Sequence, residues 1–148
     1  MSRTLNVGKM LIGGQARSSR DNRFADVLNP ATNEVLDRIP LATAEDVEEA
    51  LDIAQEGFRI WSRTPTHERY EILMRFAELL RQHKSEIAEI LTLENGKPLA
   101  QAESEVDTGV RLFTGFAEES KSLYGISAPL DAQPGLEKDI FFTRREPL

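Results

Sequence analysis

His67 and His83 are the sequence's two histidines, the residue type most used for acid–base and metal chemistry, which makes them the first candidates. Neither has a second ligand at the helical i, i+4 spacing, and both stand among charged residues, so the expectation is a surface position. Glu103, Glu105 and Asp107 could supply a general acid and base. No apolar pocket is implied around them, and solvated carboxylates are expected. Gly96-Lys97 has the end of a phosphate loop without its beginning, because Leu91 stands where that loop needs glycine and Pro98 where it needs a magnesium-binding hydroxyl. Gly13-Gly14 signals a turn and lacks the spacing of a dinucleotide fingerprint. The sequence contains no cysteine, which excludes disulfides, thiolate metal sites and a cysteine nucleophile within these residues.

One basic run remains. Arg17, Arg20 and Arg23 lie among Ser18, Ser19, Asp21 and Asn22, a composition that reads as a solvated loop, and the interleaved aromatics of a nucleic-acid site are missing. The net charge of −7 works against nucleic acid and anionic lipid as partners. No apolar run approaches the ~20 residues needed to cross a bilayer, and Met1 to Lys9 lacks the apolar core of a secretory signal. The expectation is a cytoplasmic chain with one domain's worth of residues, 148 in all.

The elements that must position any site fall into three stretches. Residues 10–40 alternate short apolar segments with turn formers: Met10 to Ile12, Gly13-Gly14, Phe24 to Leu28, Asn29-Pro30, then Val35 to Ile39, ended by Pro40. Two or three antiparallel strands are expected there. Residues 43–124 carry helical periodicity. Thr43 offers an N-cap, with Glu45 and Asp46 in the first turn, and Val47, Ala50, Leu51, Ala54, Phe58 and Trp61 form one apolar stripe opposite Glu48, Glu49, Asp52 and Arg59. Thr64-Pro65 starts a second helix buried through Ile72, Leu73, Phe76, Ala77, Leu79 and Leu80. A break at His83-Lys84-Ser85, with Ser85 as cap, leads to a third helix through Ile87, Ile90, Leu91 and Leu93, closed by Asn95-Gly96. Pro98 opens the fourth, whose stripe of Leu99, Ala102, Val106, Val110, Phe113, Phe116 and Ala117 continues to Leu123 and ends at Gly125. Gly109 and Gly115 inside it predict close approach of another backbone. Residues 125–148 form an arm in which Ile140 to Thr143 reads as a strand with an unpaired edge, guarded by Lys138, Asp139 and Arg144.

Taken in order, these segments resemble the amino-terminal region of the aldehyde dehydrogenase superfamily over almost the whole chain. Leu11-Ile12-Gly13-Gly14-Gln15 is similar to that family's first strand and turn. Asn29-Pro30-Ala31-Thr32-Asn33-Glu34-Val35 is similar to its strand–turn signature, with Asn33 where glycine is usual. Asp46-Val47 to Phe58 and Trp61 resembles its first helix, and Glu94-Asn95-Gly96-Lys97-Pro98 its most recognisable amino-terminal motif. Phe113, Gly115, Phe116, Ala117 and Gly125 match its next helix, with phenylalanines where tyrosine and tryptophan are frequent, and Arg145-Glu146-Pro147-Leu148 resembles the lead-in to the strand before its substrate-pocket motif.

The resemblance implies an α/β parent of three layers, with residues 1–124 in the cofactor-binding domain and 125–148 starting an oligomerisation arm that pairs with a neighbouring subunit in a dimer or tetramer. It implies oxidation of a small aldehyde to a carboxylic acid with NAD or NADP. In the family the oxyanion asparagine, the cofactor-binding lysine and glycine-rich turn, the glutamate base and the attacking cysteine all come later. No catalytic or cofactor-binding residue is therefore assigned here, and these residues alone are expected to be inactive and to bind no dinucleotide. The resemblance also implies a monovalent-cation site that takes the backbone carbonyl of Leu28 and the carboxylate of Glu94. The alternative role for Glu94 is a hydrogen bond to nearby backbone. A second reading of the whole chain is a non-catalytic interaction module that self-associates through its uncovered helix faces.

Overall fold

The computed structural model describes residues 8–143. Residues 1–7, and the stretch 144–148 that includes Arg144 and the Arg145–Leu148 motif, lie outside the described residues.

The chain begins with two hairpins. Strands β1 (Met10–Ile12) and β2 (Gln15–Arg17) pair antiparallel with Ile12 opposite Gln15. Gly13 and Gly14 both take positive φ, 60° and 77°, as a two-residue turn matched to strand twist requires. Strands β3 (Phe24–Leu28) and β4 (Val35–Pro40) pair from Phe24 opposite Pro40 to Leu28 opposite Val35, with a bulge between Val27 and Leu28. Their turn is closed by Asn29, whose N–H donates to the Glu34 carbonyl and whose side-chain oxygen accepts from Ala31 N–H. Asn33 sits at φ 61°, the left-handed region asparagine and glycine share, which explains why either residue suits this turn. Residues 10–40 thus hold four strands in place of the expected two or three. The extra strand, Gln-Ala-Arg, has no apolar alternation and was invisible to patterning.

Helix α1 (Ala44–Trp61) starts at the expected N-cap: the Thr43 hydroxyl accepts from Asp46 N–H and the Asp46 carboxylate accepts from Thr43 N–H, a reciprocal capping box. Helix α2 (Thr66–Gln82) does not use Thr64 as its cap. The Thr64 hydroxyl donates back to the Ile60 carbonyl and closes the end of α1, so Pro65 itself occupies the N-cap position of α2. Ser85 is not a cap either. His83, at φ −97° and ψ 13°, ends α2 and starts α3 (Lys84–Asn95), leaving Ser85 one residue inside the new helix. Gly96 closes α3 at φ 77°, as expected.

Helix α4 (Leu99–Glu119) ends earlier than its stripe suggests and passes through a 3-10 turn at Ser120–Ser122. α4 is the centre of the packed region, flanked by α2 and α3. Ala77 of α2, Ala88 of α3 and Ala102, Val106, Val110 and Ala117 of α4 are buried, and Ile87 and Leu91 pack on that core. Alanines at the contacts let the helix axes approach closely. Phe76 and Phe113 meet edge to face with centroids 4.5 Å apart. The glycines of α4 do not admit another backbone among the described residues: the nearest atom to a Cβ at Gly109 is Leu80 Cδ1 at 3.9 Å, and nothing lies within 4 Å at Gly115.

The arm forms a third hairpin, β5 (Ser127–Pro129) with β6 (Ile140–Phe142), register Ser127 to Phe142. One edge of β6 is therefore paired with β5, and the other is unpaired among the described residues. The hairpin closes tightly at its base, where a Cβ on Gly125 would lie 1.8 Å from the Thr143 carbonyl oxygen.

Candidate functional site

The densest charged constellation joins the first hairpin region to α1, and its arginines had been expected in a solvated loop. Arg17 Nη1 and Nη2 donate to the two oxygens of Glu49 at 3.0 and 2.7 Å, a bidentate pair, and Arg20 Nη2 reaches Glu49 Oε2 at 2.5 Å. Asp46 lies beneath them, 1% exposed. Its Oδ2 accepts from the backbone N–H of Arg20 at 3.2 Å and from Thr43, while Oδ1 takes no hydrogen bond and is neutralised by Arg20 Nε at 3.4 Å. Arg23 pairs with Asp21 within the loop. Seen in sequence, an arginine three residues from another looks like a surface run. The missed signal is a carboxylate pair one helical turn apart, Asp46 and Glu49, near the start of a capped helix.

The electrostatics fit a clamp and not a catalyst. The backbone N–H of Thr43, then that of Arg20, holds the Asp46 carboxyl below its ordinary value against the opposing effect of burial. Hydrogen bonds from Arg17 and Arg20 lower Glu49, and the same contact raises Arg17. Both carboxylates are thus fixed as anions at neutral pH, whereas a general base or acid needs an affinity for protons close to that pH.

The other sequence candidates are dispersed. His67 and His83 are exposed, beside Glu68 and Glu86 respectively, and Glu86 Oε2 lies 3.3 Å from His83 Nδ1. Glu105 pairs with Lys97, and Asp107 accepts from Lys84 Nζ at 2.6 Å, tying α3 to α4. Leu28 ends β3 and Glu94 stands in the last turn of α3. The loops that follow them meet: a Cβ at Gly96 would lie 2.9 Å from Pro30 Cγ. Tyr70 donates to Glu118 at 2.7 Å, and the Lys121 ammonium stands 3.8 Å above the tyrosine ring.

The N-terminus of α1 is occupied by the Asp46 carboxylate, and among the described residues no glycine-rich turn leads from a strand into a helix. No group of three or more metal-binding side chains occurs among the described residues. The hollow between α2 and α3, about 270 Å³, is lined by Phe76, Leu79, Leu80, Ile87 and Ile90, with His83 and Glu86 as its polar members. Among the described residues no helix is long and apolar enough to cross a membrane.

Three short antiparallel hairpins and four helices match a segment of a larger α/β enzyme fold. The chain belongs to the aldehyde dehydrogenase family, whose model matches residues 16–148. It is 43% identical over 107 residues to malonate-semialdehyde dehydrogenase 2 of Oceanobacillus iheyensis, covering 72% of this chain and 22% of that protein. It is 37% identical over 133 residues to a malonate-semialdehyde dehydrogenase of Bacillus pumilus, covering 90% and 27%. Among solved structures it resembles an NADP-dependent glyceraldehyde-3-phosphate dehydrogenase from Bacillus halodurans, with TM-score 0.85 and 29% identity over 88% of this chain and 28% of that one. It also resembles an NAD-dependent benzaldehyde dehydrogenase from Corynebacterium glutamicum, with TM-score 0.80 and 30% identity over 88% and 28%. The chain thus spans about a quarter of the length of the relatives it matches, and corresponds to the amino-terminal portion of their fold.

Proposed function

We propose that these residues are the amino-terminal part of the cofactor-binding domain, residues 1–124, and the start of the oligomerisation arm, 125–148, of a cytoplasmic NAD(P)-dependent aldehyde dehydrogenase. That enzyme oxidises a small aldehyde to its carboxylic acid. The observation that carries the reading is the membership of residues 16–148 in this family together with an α1 stripe that nothing among the described residues covers. The names of the two solved neighbours, one NADP-dependent and one NAD-dependent, support a nicotinamide cofactor in the parent without choosing between them. The role of the 148 residues is to build the flank of the domain. Alone they bind no dinucleotide and turn over no aldehyde.

Calorimetric titration of the purified chain with NAD and with NADP, beside an absorbance assay for nicotinamide reduction, tests this. No saturable heat and no turnover are expected; micromolar saturable binding to either dinucleotide overturns the reading.

The arm joins a neighbouring subunit in the dimeric or tetrameric parent through the open edge of β6, where Ile140 and Phe142 are exposed. The Leu28 carbonyl and the Glu94 carboxylate contribute to a monovalent-cation site in the parent. The contact of Pro30 with Gly96, which brings the loops after these two residues together, supports that role. Glu94→Gln is expected to abolish any difference in melting temperature between potassium and choline buffers.

A further inference from the structure

An asparagine that precedes glycine is prone to cyclise onto the chain, because the glycine nitrogen has no neighbouring Cβ to shield it. Asn95-Gly96 is the one such pair in the sequence: Asn6, Asn22, Asn29 and Asn33 precede valine, arginine, proline and glutamate. Glycine is required at 96. It closes α3 at φ 77°, and the ring of Pro30 leaves no room for a Cβ, which would lie 2.9 Å from Pro30 Cγ. The fold therefore sets a labile pair at a helix end.

The same geometry keeps the pair unreactive. Asn95 is the last residue of α3, and the helical well, with ψ of about −42°, turns the Gly96 nitrogen away from the Asn95 side-chain carbon. The Gly96 N–H donates to the Thr92 carbonyl at 2.9 Å, which engages the proton that the nitrogen must lose. One turn before Asn95, Leu91 packs on the core of Ala88, Ala102 and Val106, and just beyond it the Lys97 ammonium pairs with Glu105. Ring closure thus needs the last turn of α3 to open against contacts on both sides.

We propose that Asn95 is a self-modification site gated by the α3 cap: shut in the folded chain, it converts to aspartate and isoaspartate when the cap opens. The Gly96 amide nitrogen gives up its proton to water and attacks Asn95 Cγ. The N–Cγ bond forms, the Cγ–Nδ2 bond breaks and ammonia leaves with the proton, giving a five-membered imide. Water then opens the imide. Opening at Cγ leaves aspartate, and opening at the backbone carbonyl leaves isoaspartate, with the chain rerouted through the side chain. One water is consumed and one ammonia released, so no redox partner is needed. Either product sets a new carboxylate beside Glu94 at the negative end of the α3 dipole, and isoaspartate also lengthens the backbone where Gly96 meets Pro30. Each conversion weakens the cap that guarded it.

This inference goes beyond the dehydrogenase reading and depends on neither the cofactor nor the activity of a longer enzyme.

Peptide mapping by mass spectrometry, with enzymatic methylation of isoaspartate, follows the conversion in the 148-residue chain at mildly alkaline pH. Asn95 is expected to convert at least about tenfold faster in urea than in the folded chain, and ahead of every other asparagine. Lys97→Ala and Pro30→Ala each loosen one side of the cap. They are expected to raise the folded-state rate about threefold or more and to leave the rate in urea unchanged. Circular dichroism confirms that each variant keeps its helices. The converted chain, separated by its added charge, is expected to melt a few degrees below the unconverted one. Four results overturn the proposal: equal rates in the folded chain and in urea, a folded-state rate that neither substitution moves, another asparagine converting first in urea, or a converted chain that melts as high as the original.

Discussion

Helices α1 and α4 have the same design on paper, a long amphipathic stripe behind a clear start signal, and the fold uses them in opposite ways. α4 runs between α2 and α3 and buries Ala102, Val106, Val110 and Ala117. The buried residue of α1 is a carboxylate, Asp46, while its leucine, phenylalanine and tryptophan face outward. An apolar stripe states that a face needs cover and is silent on who supplies it. For α4 the supplier is the same chain. For α1 no such cover is found among the described residues.

Substitutions sharpen the contrast, beginning where the effect is greatest. Val106→Asp places an unpaired charge in the α2–α3–α4 core and is expected to cost about 4 kcal/mol or more, removing the cooperative thermal transition. Gly96→Ala demands a left-handed backbone of a residue with a Cβ and drives that Cβ into Pro30, and should lower stability by about 2 kcal/mol in urea titration. Thr43→Ala removes the capping hydroxyl of α1 and is expected to cost about 1 kcal/mol of that helix, read as helix signal lost on mild heating.

Acid attacks the same attachment. Asp46 and Glu49 have folded values below their ordinary ones, so the clamp's contribution is complete above the ordinary carboxylate range and is lost as pH falls through the depressed values. α1 should therefore detach in acid before the apolar α2–α4 core opens, seen as helix signal lost with the Phe76–Phe113 environment intact. The smallest effect is expected at Leu51→Gln, which should change the stability of the monomer by less than about 0.5 kcal/mol even though it replaces a leucine of the stripe. A loss comparable to that at Val106 would erase the distinction between the two helices.

The sequence announced the helices well, because Thr43, Pro98 and Gly96 act through local geometry that neighbouring residues suffice to determine. It was silent on β2 and β5, whose residues Gln15–Arg17 and Ser127–Pro129 carry no alternation and become strands only because β1 and β6 lie beside them. Periodicity placed the apolar stripe of α1 and gave no sign of the clamp of Arg17 and Arg20 on Asp46 and Glu49, a tertiary contact across more than twenty residues of sequence. The paired loops that bring Pro30 to Gly96 were legible as two turns and not as a contact.

Amide hydrogen exchange, followed residue by residue at a concentration where the chain is monomeric, tests the division between α1 and α4 most directly. The amides of Val106 to Val110 are expected to exchange only through global unfolding, and those of Leu51 to Phe58 at least about 100-fold faster through local opening. Equal protection of the two helices in the monomer would contradict the account, because it would mean that α1 is already covered within its own chain.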